Sequence, residues 1–192
     1  MLKVAITGNI ASGKSAVENI LKEMNYPFLD TDKVAHKILE QNNQIRNAFN
    51  EFDILNNDGT ISREKLGKIV FADKTQLKKL ENIIHPLVKA EILAFFEQNK
   101  QYALAFVGIP QLFESNMQEL FDRIVLIYCD DKIRLERLIQ RNNYSVEYAK
   151  TRLNAQISQD KKKELCDYTI NNNETLNELS INVRNLLKVL AS

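Results

Sequence analysis

Several short apolar runs along the chain have no helical period. Val4-Ala5-Ile6, Tyr26-Pro27-Phe28-Leu29, Tyr102 to Val107 and Ile124 to Tyr128 read this way, with Tyr168-Thr169-Ile170 as a weaker fifth. Continuous runs of this length predict parallel strands covered on both faces, because burial on both sides removes the polar alternation of a half-exposed strand. Between the first two, Val17, Ile20, Leu21 and Met24 recur at i, i+3, i+4 and i+7, the pattern of an amphipathic helix. Strand, loop, helix, strand within about 30 residues is a βαβ unit. From residue 33 to about residue 100 the pattern is mostly helical, broken at Asn56-Asn57-Asp58-Gly59 and at Pro86. Proline pushes the preceding residue away from helical angles, so His85 is expected to end one helix and Pro86 to open the next. Strands alternating with helices predict an α/β fold with a parallel sheet, and the long helical stretch reads as an insertion on it.

Composition narrows the class without naming a function. The 192 residues are 44% hydrophobic and 27% charged, enough for a substantial core without disulfides or structural metal. Lys plus Arg is 26 against Asp plus Glu 25, so no global charge bias argues for nucleic acid or an anionic membrane. Two cysteines, Cys129 and Cys166, are too few for a disulfide framework and fit a reducing compartment. The longest apolar runs fall far short of the ~20 residues a bilayer needs. The opening residues lack a cleavage-type region. A cytoplasmic protein is expected.

Gly8-Asn9-Ile10-Ala11-Ser12-Gly13-Lys14-Ser15 matches G-x-x-x-x-G-K-[ST], between a predicted strand and a predicted helix. The glycines let the backbone wrap phosphates, and successive N–H groups form an anion nest at a helix N-terminus. Lys14 reaches the β and γ phosphates, and the Ser15 hydroxyl can ligate Mg²⁺. Two of the five glycines in the chain fall in this motif.

Phosphate binding alone is not a reaction. Switch-type GTP-binding proteins need D-x-x-G, which is absent, and N-K-x-D, whose nearest approach is Asn99-Lys100-Gln101-Tyr102. A transporter-type ATPase needs a strand ending in an aspartate, whereas the third strand runs into Gly108-Ile109-Pro110. What remains is a small kinase moving a γ-phosphoryl to a bound small molecule. Asp30 and Asp32 follow the second strand, where open α/β sheets bind ligands. Either can orient a hydroxyl, accept its proton or hold Mg²⁺ through water, and Asp32 is also placed to cap the helix that begins with Lys33. Residues 132–163 hold nine Lys or Arg against three Asp or Glu. Within them Arg134, Arg137 and Arg141, at i, i+3 and i+7, share a helix face opposite Leu135, Leu138 and Ile139. Guanidinium groups so placed suit a basic lid over ATP. His36 and His85 are too isolated for a zinc site. The Asn56 to Gly59 turn fails as a calcium loop, with Ile54 and Lys65 at positions that need ligands.

The ordered motifs resemble those of the dephospho-CoA kinase family over nearly the whole chain. The family's T-G-G-I-G-S-G-K-S-T is followed from Thr7 to Ala16, with Asn9, Ala11 and Ala16 as departures. Its D-A-D is Asp30-Thr31-Asp32. D-G-x-x-x-R-x-x-L is Asp58-Gly59, Arg63 and Leu66, and the His-Pro pair is His85-Pro86. P-L-L-F-E is Pro110 to Glu114 with Gln111 in place of leucine. The lid's Q-x-x-R-x-x-x-R keeps Arg137 and Arg141, with Arg134 where glutamine is usual. Gln156 matches a glutamine on the next helix. A-D-x-x-I-x-N is Cys166-Asp167 through Asn172, and Glu174 stands where glycine is common.

The resemblance implies a P-loop kinase fold: a five-stranded parallel sheet flanked by helices, an inserted helical substrate domain and a helical lid. The corresponding boundaries are 1–32, 101–131 and 164–192 for the nucleotide-binding core, 33–100 for the CoA-binding insertion and 132–163 for the lid. It implies transfer of the ATP γ-phosphoryl to the ribose 3′-hydroxyl of dephospho-CoA, with Mg²⁺. Carried over by position, Asp32, Lys14, Arg137 and Arg141 are catalytic, with Asp32 as base or hydroxyl-orienting group. Gly8, Ala11, Ser12, Gly13, Lys14, Ser15, Ala16 and Asn172 hold the nucleotide, with Ser15 on the metal. Asp30, Asp32, Arg63, His85, Pro110 and Glu114 face the acceptor. The expected partners are ATP and dephospho-CoA, with no nucleic acid or membrane, in a monomer or weak homo-oligomer. The alternatives are another nucleoside or nucleotide monophosphate kinase, and a non-catalytic ATP-binding module.

Overall fold

A computed structural model describes residues 1–191. It divides into two compact units, Met1–Leu29 with Phe96–Ser192, and Asp30–Phe95.

The first unit is built on a five-stranded parallel sheet of β1 (Leu2–Thr7), β2 (Phe28–Asp30), β3 (Leu104–Gly108), β4 (Arg123–Tyr128) and β5 (Tyr168–Asn171). The strand order is β2-β3-β1-β4-β5, which places β1 at the centre. There Val4 is paired with Phe106 on one side and Arg123 on the other. Every residue of β3 is buried, as are Val4 to Thr7 of β1, so the uninterrupted apolar runs of these central strands reflect cover on both faces. Two helices supply much of the cover: α1 (Lys14–Glu23) through Val17, Ile20 and Leu21, and a long C-terminal helix, Leu176–Leu190, through Leu179, Val183 and Leu187. Thr175 and Glu178 form a reciprocal capping box at the start of that C-terminal helix.

The strand ends differ slightly from the sequence reading. β3 begins two residues later than expected and runs one further, because Tyr102 is drawn into a turn by its N–H bond to the Asn99 carbonyl. β2 likewise starts at Phe28 and ends at Asp30 rather than covering 26–29.

The second unit is helical: α2 (Thr31–Gln41), α3 (Asn43–Ala48), α4 (Arg63–Ala72) and most of α5 (Lys74–Gln98). Its core joins Ile45, Phe49, Ile54, Ile61, Leu66, Val70 and Leu80. Asn42 and Ser62 cap α3 and α4 through side-chain bonds to the N–H groups of Ile45 and Lys65. The Asn56 to Gly59 break is a tight turn closed by a Leu55–Ile61 bridge, with Gly59 left-handed at φ 82°.

Pro86 does not divide the helices. α5 runs unbroken through it, against the expectation that His85 ends one helix. Losing one backbone donor to a proline costs about 3 kcal/mol. Leu80, Val88, Ile92 and Phe96, spaced at multiples of four, are all buried along the same helix. Each such side chain contributes about 1.5–3 kcal/mol, so together they outweigh the proline. Among the described residues no helix is long and apolar enough to cross a membrane.

Candidate functional site

β1 ends at Thr7 and the chain turns through residues 8–13 into α1. Two glycines are required by close approach. A Cβ at Gly8 would lie 2.6 Å from Ser12 Oγ and 2.7 Å from the Ile127 carbonyl. A Cβ at Gly13, which caps α1 at φ 100°, would collide with Asn172 Nδ2. Between them Ala11 holds φ 62°, the left-handed region, where a non-glycine residue is strained by roughly 1–2 kcal/mol. The two departures from glycine therefore resolve differently: Ala11 accepts the strain, whereas Asn9 avoids positive φ.

The loop is tied on all sides. Lys14 Nζ donates to the carbonyls of Gly8 at 2.6 Å and Asn9 at 3.3 Å. Asn172, just past β5, donates from Nδ2 to the Ser12 carbonyl at 2.7 Å, while its own N–H bonds the Tyr128 carbonyl. Ser15 is exposed at the second position of α1, and Ala16 is half-buried. The first N–H groups of a helix have no acceptor within it, so the start of α1 is a site for anions. Three buried polar atoms that find no hydrogen-bond partner, Asn9 Oδ1, Ser12 Oγ and Arg134 Nη2, belong to or border this loop. Hydrogen-bonding capacity held in reserve is a mark of functional sites.

Three helices follow β4: α6 (Asp131–Asn142), α7 (Val146–Asn154) and α8 (Gln159–Glu164), with Leu176–Leu190 completing the series as α9. Their basic residues do not behave alike. Arg134 is 2% exposed and shares the buried face of α6 with Leu138, so the expected division of arginines on one face and leucines on the other does not hold. Its Nε donates to the Ile10 carbonyl at 3.0 Å and its Nη1 pairs with Asp131 at 2.7 Å. Burial draws the Arg134 guanidinium below its usual range, with Asp131 opposing. Arg137 lies at the loop's end, 3.9 Å from where a Gly13 Cβ would stand, and donates to Cys129 Sγ at 3.4 Å. Arg141 is exposed and bonded to Asn142 Oδ1. Burial pushes up the thiols of both free cysteines, Cys166 to about 12, so neither is a ready nucleophile.

Pro110 and Glu114 follow β3, and both are held by a residue the sequence reading passed over. Lys162, at 0% exposure, sets its ammonium 3.0 Å from Glu114 Oε1 and 3.2 Å from the Pro110 carbonyl, which also accepts from Thr7 Oγ1. Lys161 and Lys163 on either side are exposed. Gln159, one turn before, is buried as well, and its amide both accepts from Cys129 N–H and donates to the Cys129 carbonyl. The i, i+3 pairing of Gln159 and Lys162 behind the Ser158 cap was the available signal. Gln156, expected on a helix, lies in the turn between α7 and α8, where its Oε1 accepts from Ile10 N–H. That turn exists because Ser158 caps α8 and so fixes where the next helix can begin.

The first unit thus gathers Gly8 to Ala16, Arg137 and Asn172 at the loop, with Pro110 and Glu114 tied through Lys162. Asp30, Asp32, Arg63 and His85 belong to the second unit. Asp30, not Asp32, caps α2: its Oδ1 accepts from Asp32 N–H at 3.0 Å, and Oδ2 lies 3.3 Å from Lys33 Nζ. The helix begins at Thr31, two residues earlier than the reading that gave the cap to Asp32, which leaves Asp32 exposed in the first turn. Arg63 opens α4 beside Glu40, Asp58 and Thr60 on an open cavity of about 390 Å³. There the bonds from Thr60 hold the Asp58 carboxyl below its ordinary range. His85 is half-buried on α5.

Comparison with known proteins places this geometry. The dephospho-CoA kinase family profile matches residues 2–178. A dephospho-CoA kinase of Oceanobacillus iheyensis is 38% identical, with 97% of this chain and 96% of the relative covered. One from Listeria monocytogenes is 40% identical over 90% of this chain and 89% of the relative. The solved dephospho-CoA kinase from Campylobacter jejuni superposes with a TM-score of 0.76 at 32% identity, covering 97% of this chain and 95% of that one. A strand–loop–helix turn of this geometry, in a chain that matches the family profile over residues 2–178 and such relatives over nearly its whole length, leads to one conclusion: the chain belongs to the dephospho-CoA kinase family.

Proposed function

We propose that this protein transfers the γ-phosphoryl of ATP to the ribose 3′-hydroxyl of dephospho-CoA, giving coenzyme A and ADP, the last step of coenzyme A synthesis. The observation that carries the reading is the cradle of residues 8–15, with Lys14 laid along its carbonyls, in a chain of this family. The acceptor oxygen attacks the γ-phosphorus as the bond to the β–γ bridging oxygen breaks. The hydroxyl proton leaves to Asp32 or to solvent, and ADP carries away the bridging oxygen.

Phosphoryl transfer asks the protein for position and charge more than for covalent chemistry. The loop amides and Lys14 hold the β and γ phosphates. Arg137, already beside Gly13, supplies a second cation for the transferring group, and Arg141 a third from the lid, 132–163. Asn172 holds the Ser12 carbonyl and so shapes the nucleotide side of the loop. The exposed Ser15 hydroxyl is a hard oxygen donor that would hold Mg²⁺, and the ion would supply neutralisation of phosphate charge. Residues 30–95 form the acceptor-binding unit. In it Asp32 orients the hydroxyl or takes its proton, Asp30 fixes Asp32 through the cap, and Arg63 and His85 face the acceptor. Pro110 and Glu114 contribute from the end of β3.

The test is ADP release measured with dephospho-CoA, AMP and adenosine as acceptors. Rapid turnover is expected with dephospho-CoA alone, and faster turnover with another acceptor would reassign the substrate. Asp32→Asn should lower kcat by about 10²–10⁴-fold while ATP still binds. Unchanged kcat would remove Asp32 from the mechanism.

A further inference from the structure

The middle of the phosphate loop is held from outside itself. Ile10 places both polar groups of its backbone on the flanking helical segment: its N–H donates to Gln156 Oε1 at 2.7 Å, and its carbonyl accepts from Arg134 Nε at 3.0 Å. Next to it, Asn9 Nδ2 donates to the Ile157 carbonyl at 2.8 Å. Arg134 is fixed in turn by Asp131, whose same oxygen accepts from Gln159 Nε2 at 3.0 Å. Within the loop, Ser12 N–H donates to the Asn9 carbonyl. The residue after this gripped peptide is Ala11, at φ 62°.

A left-handed residue curls successive amides toward one side, and so makes a concavity for an anion. Glycine does this without steric cost. Alanine does it only where the surroundings over-determine its conformation. We infer that Gln156 and Arg134 are positioning residues for phosphate binding: they clamp the Ile10 backbone so that Ala11 stays left-handed and the loop amides converge on the triphosphate. The inference rests on the reading of this loop as the ATP site. Neither side chain touches phosphate in this role. Gln156 comes from the turn before α8 and Arg134 from α6, so both flanks of the basic segment share in the clamp.

The test is a cycle of variants in the full chain, Gln156→Ala with and without Ala11→Gly, read by calorimetric titration with ATP. Gln156 is half-buried and its removal leaves no charge unpaired, so the variant should fold. Gln156→Ala is expected to weaken ATP binding about tenfold, the usual scale of one lost hydrogen bond. In the Ala11→Gly background the same substitution should cost less than about threefold, because glycine needs no clamp. Hydrogen exchange at the Ile10 amide should accelerate in Gln156→Ala without nucleotide. Unaltered ATP affinity in Gln156→Ala, with or without a lower melting temperature, overturns the proposal. So does an equal loss in both backgrounds. Failure of the unsubstituted chain to bind ATP overturns the reading of the loop, and the clamp's role with it.

Discussion

The loop of residues 8–15 and the basic segment bonded to it are built by different means. The loop works through its backbone: carbonyls hold Lys14, glycines admit Asn172 and Ser12, and one strained alanine sets the curl. The segment from α6 to α8 works through individual side chains. Of three arginines at helical spacing, one is buried against Ile10, one stands by Gly13 and one is exposed. Of three consecutive lysines, only Lys162 is buried. A backbone device constrains spacing and glycine placement, so it marks the sequence. A side-chain device depends on which way a helix is turned, and the sequence is marked much less.

The sharpest way to break this contrast is Lys14→Ala. Removing the side chain proposed to reach the phosphates from the loop should reduce transfer by about 10²–10³-fold, measured as kcat/KM for ATP. Full activity would mean that the backbone suffices.

Gly13→Ala comes next. Alanine there must occupy φ 100° and displace Asn172, adding roughly 1–2 kcal/mol of backbone strain to a lost hydrogen bond of about 1 kcal/mol. Gly59→Ala meets the same kind of strain at φ 82° but nothing within 4 Å. In thermal unfolding the first should lower Tm by about 4–12 °C and the second by about 2–8 °C, the first always by more. Equal shifts would show that the Asn172 contact contributes nothing.

A comparison of three adjacent lysines, two of them expected to have the smallest effects, sharpens the other half of the contrast. Lys162→Met leaves Glu114 without its cation and should cost about 1.5–3 kcal/mol in chemical denaturation. Lys161→Ala and Lys163→Ala should stay within about 0.5 kcal/mol. Three equal values would reduce the burial of Lys162 to an incidental feature.

The same contrast explains how much could be read beforehand. The strands and α1 were legible because parallel strands and an amphipathic helix leave distinct apolar periods. Their ends were not, since Tyr102 and Asp30 are decided by single hydrogen bonds. The position of the loop and its two glycines were legible in the motif, whereas the left-handed turn at Ala11 and the side chains that hold Ile10 were not. Arg134, Arg137 and Arg141 are grouped by spacing, yet spacing gives relative angles on a helix and not the direction of the core. That direction is set by Leu138, which brings Arg134 inward with it. Pro86 misled for a related reason: a local backbone preference was weighed without the buried stripe of α5 that overrides it. Lys162 is set apart from its neighbours in the sequence only by its i, i+3 spacing from Gln159 behind the Ser158 cap, and what it holds, Pro110 and Glu114, lies far away along the chain.

Gln159, pairing with both polar groups of the Cys129 backbone, acts as a single-residue strand laid past the tip of β4. It locks the numbering of the chain from 156 to 162 against three separate anchor points: Ile10, Cys129 and Pro110. Insertions are therefore tolerable at the exposed turn around Asn143, where the helix has already ended in a left-handed residue, and ruinous ten to twenty residues later. Any redesign of the segment from α6 to α8 has its freedom of length on one side of α7 only.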